Sequence, residues 1–272
     1  MKKVLVLCSV AALMLACATN PLTGKKEFSL SSSADDNANL IPAAYQQYGT
    51  FLKENKVITG TADASKVQNV GTKIKNAAIK WMDSRGFGNQ IANYQWEYKL
   101  VQNKELNAWC MPGGKIAVYS GIMSVTKDES GLATVMGHEV AHALLRHSAQ
   151  RVDKATALAT GGELLNAALG GKSATLQNVI GTVYGSGSNL ALLAYGRSDE
   201  SEADRLGLTL MAMAGYNPDN AISFWQRMSD KSGGSSTPEL LSTHPSDQTR
   251  ITNIKKLIPE AKAEAAKFGK KY

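Results

Sequence analysis

The chain is short of the residues that crosslink proteins or ligate metals. Three cysteines in 272 residues, Cys8, Cys17 and Cys110, leave no material for a disulfide-dense scaffold or a structural zinc site made of thiolates. Histidine is scarce too, with four in all. The apolar run from Val4 to Ala16 is too short to span a bilayer as a permanent helix, and there is no internal repeat. The net charge of +7 comes largely from scattered lysines, densest near the C-terminus at Lys255, Lys256, Lys262 and Lys267. Such a spread reads as a solvated helix face, not as a nucleic-acid or lipid patch. What the chain does have is apolar material: 43% hydrophobic against 19% charged residues, enough for a real core, which excludes disorder as the main state.

The N-terminus begins Met1-Lys2-Lys3 and runs into that apolar stretch, the pattern of a secretory signal. The stretch ends at Leu15-Ala16-Cys17. A small residue before a cysteine at this point resembles the bacterial lipobox, whose cysteine is acylated and becomes the new N-terminus. Residues 1–16 are therefore expected to be a lipoprotein signal peptide, 17–40 a lipidated N-terminus and polar tether, and 41–272 one packed domain. Ala18 lacks the Asp that retains enterobacterial lipoproteins in the inner membrane, which leans towards the outer membrane. A secreted address also argues against nucleic acid as a partner, and Cys110 is left without an intramolecular disulfide partner.

Hydrophobic spacing predicts helices over 41–56 and 63–82, the second closed near Gly86 and Gly88. Alternation over 94–101 predicts a half-buried strand, and Ala108–Met111 and Ile116–Tyr119 form a strand pair around Pro112-Gly113-Gly114. Residues 129–150 read as one helix, with Leu132, Val135, Met136, Val140 and Leu144 on its apolar side. The Gly-rich region 155–196 reads as paired helices around a mobile loop, too often interrupted by polar residues to be a membrane span. Further helices are expected over 199–214, after Pro218, and near 246–258, with a Gly/Ser break at 232–237.

Three of the four histidines fall within ten residues, at His138, His142 and His147. His138-Glu139-Val140-Ala141-His142 is an HExxH sequence, and residues four apart share a helix face, so both imidazoles can reach one metal ion. Glu139 beside them can take a proton from a water that zinc has acidified. The bland alternative, two surface histidines and a solvated glutamate, fits poorly with the apolar residues on both sides. A third ligand is needed, and Asp199-Glu200-Ser201-Glu202-Ala203-Asp204 offers Glu200 with Asp204 one turn later. Glu200 can then bind metal while Asp204 accepts a hydrogen bond from a ligand imidazole. Glu202 points away from Glu200, and it and Asp199 read as charge complementing the helix dipole. His147 faces another side of a continuous helix and reads as structural or incidental.

HExxH followed by ExxxD in an E-S-E-A-D-R-L-G context resembles the gluzincin zinc peptidases that include HtpX, the CAAX prenyl endopeptidase and the Oma protease. The resemblance extends to Asn20-Pro21-Leu22-Thr23-Gly24 with Leu30-Ser31, to Asn107-Ala108 with Pro112-Gly113-Gly114-Lys115-Ile116 and Gly121, and to Thr243-His244-Pro245-Ser246 with Arg250. Among members it is most similar to the periplasmic lipoproteins of the BepA, LoiP and YcaL type.

The resemblance implies an α+β fold, a mainly helical zincin-like metallopeptidase domain with a small β-sheet beside the HExxH helix. It implies one zinc ion on His138, His142 and Glu200, Glu139 as general base, and Asp204 behind the ligands. It implies an edge strand that pairs with extended protein or peptide substrates, giving Asn107, Ala108, Gly113 and Gly114 a substrate-binding role; the alternative is that these are only hairpin turn residues. His244 is implied as a residue that can take the open zinc position and hold the enzyme inactive, and Arg250 as one that stabilises the oxyanion or holds the His244 loop. The expected function is an envelope zinc metalloendopeptidase removing misfolded or stalled proteins, anchored to the membrane through Cys17. The competing reading is an assembly chaperone or binding module with latent peptidase activity. A cell-wall zinc amidase would show a different ligand order and no ExxxD helix.

Overall fold

The computed structural model describes residues 17–29, 36–167, 176–184, 195–231, 240–241, 244 and 248–272. Residues 1–16, expected as a signal peptide, the 232–237 break, Thr243, Pro245 and Ser246 lie outside these, as do 168–175 and 185–194 of the Gly-rich region.

Strands β1 (Cys17–Thr19) and β2 (Lys26–Phe28) form a small antiparallel hairpin. Helices α1 (Ile41–Glu54) and α2 (Ala62–Ser84) follow, the second started by Thr61, whose hydroxyl accepts the Ala64 N–H at 3.1 Å. The main sheet comprises β3 (Val57–Ile58), β4 (Glu97–Val101), β5 (Ala108–Met111) and β6 (Lys115–Tyr119) in the order β3-β4-β6-β5. Its β4–β6 pair is parallel and the others antiparallel, so the sheet is mixed and β5 is an edge strand.

Strand side chains alternate between two cores. Tyr98, Leu100, Ala108, Cys110, Ile116 and Val118 face the larger core, while Val101, Trp109, Met111, Ala117 and Tyr119 face a second one shared with α1. The sheet is thus buried on both faces. Gly113 and Gly114, with φ of 89° and 84°, close the β5–β6 hairpin in the left-handed region that glycine tolerates. A Cβ on Gly113 would strike the Tyr45 ring, and one on Gly114 the Trp96 ring.

Helix α3 (Glu129–Leu144) carries the HExxH sequence and starts on Asp128, whose carboxylate accepts the Gly131 N–H at 2.8 Å. It is buried all round from Gly131 to Leu144, not only on the expected apolar side. A helix so placed must satisfy its polar groups inside the protein. The expected single helix over 129–150 is broken. Arg146, at φ 62° and braced by Asp36 at 2.7 Å, turns the chain, and α4 (His147–Ala167) begins in a new direction.

Helix α5 (Leu176–Tyr184) joins α4 in the second core, linked by an Arg151 hydrogen bond to the Val183 carbonyl at 3.0 Å. The larger core gathers α2, α3, α6 (Arg197–Met213), α7 (Asn220–Lys231) and α8 (Gln248–Ala266). The last helix continues beyond its expected end near 258, through Pro259, to Ala266. That proline is exposed, and so is Lys255, whose carbonyl loses its helical donor to a side where water can replace it. The architecture is α+β and mainly helical, with the small sheet packed against α3.

The stretch expected to be a tether is partly docked. Asn20 is buried and donates to the Leu145 carbonyl at 2.8 Å, and Ser29 donates to Asp153 at 3.1 Å. Among the described residues, no helix is long and apolar enough to cross a membrane.

Candidate metal centre

Helices α3 and α6 cross at a pair of glycines. A Cβ on Gly207 would lie 2.9 Å from the His138 backbone, and one on Gly137 would lie 2.8 Å from the Gly207 carbonyl. With no side chain on either, the two backbones meet directly. His138 and His142 on one helix then face Glu200 and Asp204 on the other. Gly207 closes the E-S-E-A-D-R-L-G stretch, but nothing in the sequence assigned either glycine a packing role.

The ligand-type atoms of His138, His142, Glu200 and His244 all lie within 4.8 Å of one another. His138 Nε2 is 3.1 Å from His142 Nε2 and 3.2 Å from His244 Nδ1. Glu200 Oε1 is 3.3 Å from His142 Nε2 and 2.7 Å from His244 Nδ1. A tetrahedral zinc with bonds of about 2.1 Å holds its ligands about 3.4 Å apart, so these separations and this imidazole–carboxylate donor set fit such an ion. The cluster is sealed: His138, Glu139, His142, Glu200 and His244 are at most 4% exposed.

Glu139 Oε1 is buried with no hydrogen-bond partner among the described residues, His244 Nε2 standing 3.4 Å away. Burial pushes its carboxyl above the usual range, against the pull of His244 and His138. Burial drives the His142 imidazole well below its ordinary value. His138 behaves oppositely: burial disfavours its charge, but Glu200 and Asp204 outweigh it and lift it to about 9. Asp204 Oδ1 is 3.1 Å from His138 Nδ1, the nitrogen away from the cluster.

Arg250 binds both carboxylates of the ExxxD pair, at 2.9 Å to Glu200 and 2.7 Å to Asp204, and reaches the His244 carbonyl at 3.4 Å. Its guanidinium lies 3.6 Å from the centre of the Trp225 ring. Tyr195 stacks on His142 at 3.9 Å. Trp225 lies on the helix expected after Pro218, and nothing in the sequence pointed to Tyr195.

Asn107 is buried at the start of β5, where its side chain accepts the Ala108 N–H at 2.8 Å. The Cys110 carbonyl on that strand accepts the Ser148 hydroxyl at 3.4 Å. Burial holds the Cys110 thiol well above its ordinary range, so it is a poor nucleophile. Two residues set aside in the sequence take part. His147 is buried with Nδ1 3.1 Å from His142 Nδ1, and Glu202 lies 3.1 Å from His147 Nε2. The break at Arg146 makes this contact, and spacing along a continuous helix hides it.

A family model described as peptidase family M48 matches residues 68–258. The chain is 32% identical over 203 residues to the mitochondrial metalloendopeptidase OMA1 of Saccharomyces cerevisiae, covering 72% of this chain and 56% of that protein. It is 36% identical over 179 residues to the protein of the same name from Schizosaccharomyces pombe, covering 64% and 50%. It is 29% identical over 167 residues to the beta-barrel assembly-enhancing protease of Escherichia coli, covering 59% and 34%. The chain thus spans about half or less of the length of these relatives.

Proposed function

Since residues 68–258 match its model, this chain belongs to peptidase family M48, and we propose that it is a zinc-dependent endopeptidase of the bacterial cell envelope. The observation that carries the reading is the sealed cluster of three imidazoles and one carboxylate beside Glu139, whose Oε1 has no hydrogen-bond partner among the described residues. His138, His142 and Glu200 would hold the ion. When bound, zinc supplies a Lewis acid that polarises the scissile carbonyl and makes water acidic.

The rest falls to the chain itself. Glu139, with its carboxyl raised by burial, accepts the proton of the attacking water and hands it to the leaving amine. Asp204 orients His138 through Nδ1. Arg250, already engaged by two carboxylates and the His244 carbonyl, acts as a brace for the His244 segment and not as an oxyanion donor. An extended substrate aligns along the β5 edge, which begins at Asn107 and Ala108 and ends at the Gly113-Gly114 turn.

His244 favours a latent resting form. Its Nδ1 lies 3.2 Å from His138 Nε2 and 2.7 Å from Glu200 Oε1, which supports its taking the place of a water or substrate. Substrates would be misfolded or stalled envelope proteins, a reading supported by the likeness to the beta-barrel assembly-enhancing protease. The Leu15-Ala16-Cys17 sequence and Ala18 support a periplasm-facing lipid anchor at Cys17, in the outer membrane. Labelling with a palmitate analogue, lost on Cys17→Ser, checks that part.

The central test measures zinc in the purified protein and compares casein cleavage by wild type and Glu139→Gln. One zinc per chain and cleavage lost in the variant are expected. Zinc without cleavage, even after His244→Ala, would favour the binding-module reading; no stoichiometric zinc would overturn the whole assignment.

A further inference from the structure

We propose that Glu202 and His147 form a hydrogen-bond relay that sets the tautomer and ring plane of His142, making both of them positioning residues for the metal centre. The inference rests on reading His142 as a ligand. His142 turns Nε2 towards His138 and Glu200, at 3.1 and 3.3 Å. Its other nitrogen, Nδ1, is 3.1 Å from His147 Nδ1, and His147 Nε2 is 3.1 Å from Glu202 Oε2. Both imidazoles are at most 1% exposed.

The direction of this chain follows from its end. A carboxylate only accepts, so His147 Nε2 carries the proton and donates it to Glu202. A neutral His147 then has a lone pair on Nδ1, which accepts the N–H of His142 Nδ1. That leaves the lone pair of His142 on Nε2, facing the other ligands. A histidine ligand commonly has its far nitrogen fixed by a carboxylate or carbonyl. Asp204 does this directly for His138 at 3.1 Å. For His142 the carboxylate acts through a second imidazole.

The N-terminal hairpin holds the outer end of the relay. Lys25 pairs with Glu202 and bonds Ser198 at 2.5 Å. Glu27, the third member of a cluster that also offers metal-type atoms with His147 and Glu202, is held by Asn20 at 3.1 Å and by Gln150. A second cation on this cluster through His147 Nε2 would force the proton onto His147 Nδ1. His142 would then accept at Nδ1 and carry its own proton on Nε2, pointing into the ligand cluster. The relay and a cation at this second cluster exclude each other, and the lysine and amide contacts favour the relay.

The test uses the full chain with His147→Leu, His147→Gln and Glu202→Met. Zinc affinity is measured by competition with a chelator, alongside thermal unfolding of the metal-free protein. His147→Leu is expected to weaken zinc binding roughly 10–100-fold. His147→Gln, whose amide oxygen can still accept from His142 Nδ1, should recover much of that loss, and Glu202→Met should fall between. A purely structural role would lower the unfolding temperature in all three without ordering their zinc affinities in this way. Wild-type affinity in a folded His147→Leu or Glu202→Met protein overturns the relay, while His142→Ala still abolishing zinc binding leaves the metal reading intact. A second zinc equivalent that disappears with Glu27→Gln overturns the relay in favour of a cation. No zinc on the wild type overturns both readings together.

Discussion

Two clusters of histidine and glutamate lie one imidazole apart in this fold, built from the same residue types and behaving differently. The inner one, His138, His142, Glu200 and His244, is fully buried, its nitrogens converge, and the neighbouring Glu139 Oε1 has no hydrogen-bond partner among the described residues. The outer one, Glu27, His147 and Glu202, has only its histidine buried; Lys25 pairs with Glu202, and Asn20 and Gln150 bond Glu27. Partners, not composition, separate them. Imidazole lone pairs that converge in a sealed site call for a cation, whereas carboxylates already met by amides and an ammonium need none.

The sharpest way to break the comparison is to remove one member from each side. His138→Ala or Glu200→Ala should reduce bound zinc from one per chain to near zero, whereas Glu27→Gln should leave it at one; elemental analysis reads both. Equal losses would erase the distinction. Next in size, Glu139→Gln should keep its zinc and lose roughly 10²–10⁴-fold in peptide cleavage, the usual range for a general base.

His244→Ala should raise casein cleavage several-fold, because it frees the inner cluster from its fourth side chain; unchanged or lower turnover would show that His244 does not restrain the enzyme. Gly207→Ala should cost about 1–3 kcal/mol by forcing α3 and α6 apart. It should weaken zinc binding in the same protein, since that crossing aligns the ligands. A calorimetric scan and a zinc titration on this variant test the two together.

The smallest effect separates the clusters by pH in the metal-free protein. His138 is lifted from 6.5 to about 9, chiefly by Glu200 and Asp204 working against burial. Its stabilisation is complete below 6.5 and is lost as the pH rises through about 9. Glu202 is held below 4.5 by His147 and Lys25 despite burial, so its share is present above 4.5 and is lost as the pH falls through its depressed value. Glu200 and Asp204 add to the acid limb. Denaturant unfolding across pH should show both limbs, with His138→Gln flattening the alkaline one and leaving the Glu202 share of the acid one.

Much of the site was legible because helix periodicity is local. His138 and His142 share a face by spacing alone, as do Glu200 and Asp204; α6 lies close to its expected bounds, while α3 stops at Leu144, short of the expected 150. The strand pair around Gly113-Gly114 was legible for the same reason. His147 was misread because its position depends on a left-handed residue, Arg146, that no periodicity announces. The tether was misread because a polar, Ser-rich composition says nothing of Asn20 finding the carbonyl left exposed at the end of α3. Helix α8 ran past Pro259 because that proline lies on the solvent side, which spacing alone does not reveal.

By itself, then, the sequence determined the chemistry on offer: a helical pair of imidazoles, a helical pair of carboxylates, a glutamate beside the first pair, and membership of peptidase family M48. Only the tertiary structure decided which histidines meet. The convergence of His244, the brace at Arg250 and the Glu202–His147–His142 chain all join residues between 5 and 112 positions apart. Such contacts arise from helix crossing and chain reversal, and those are set by packing that no local pattern encodes.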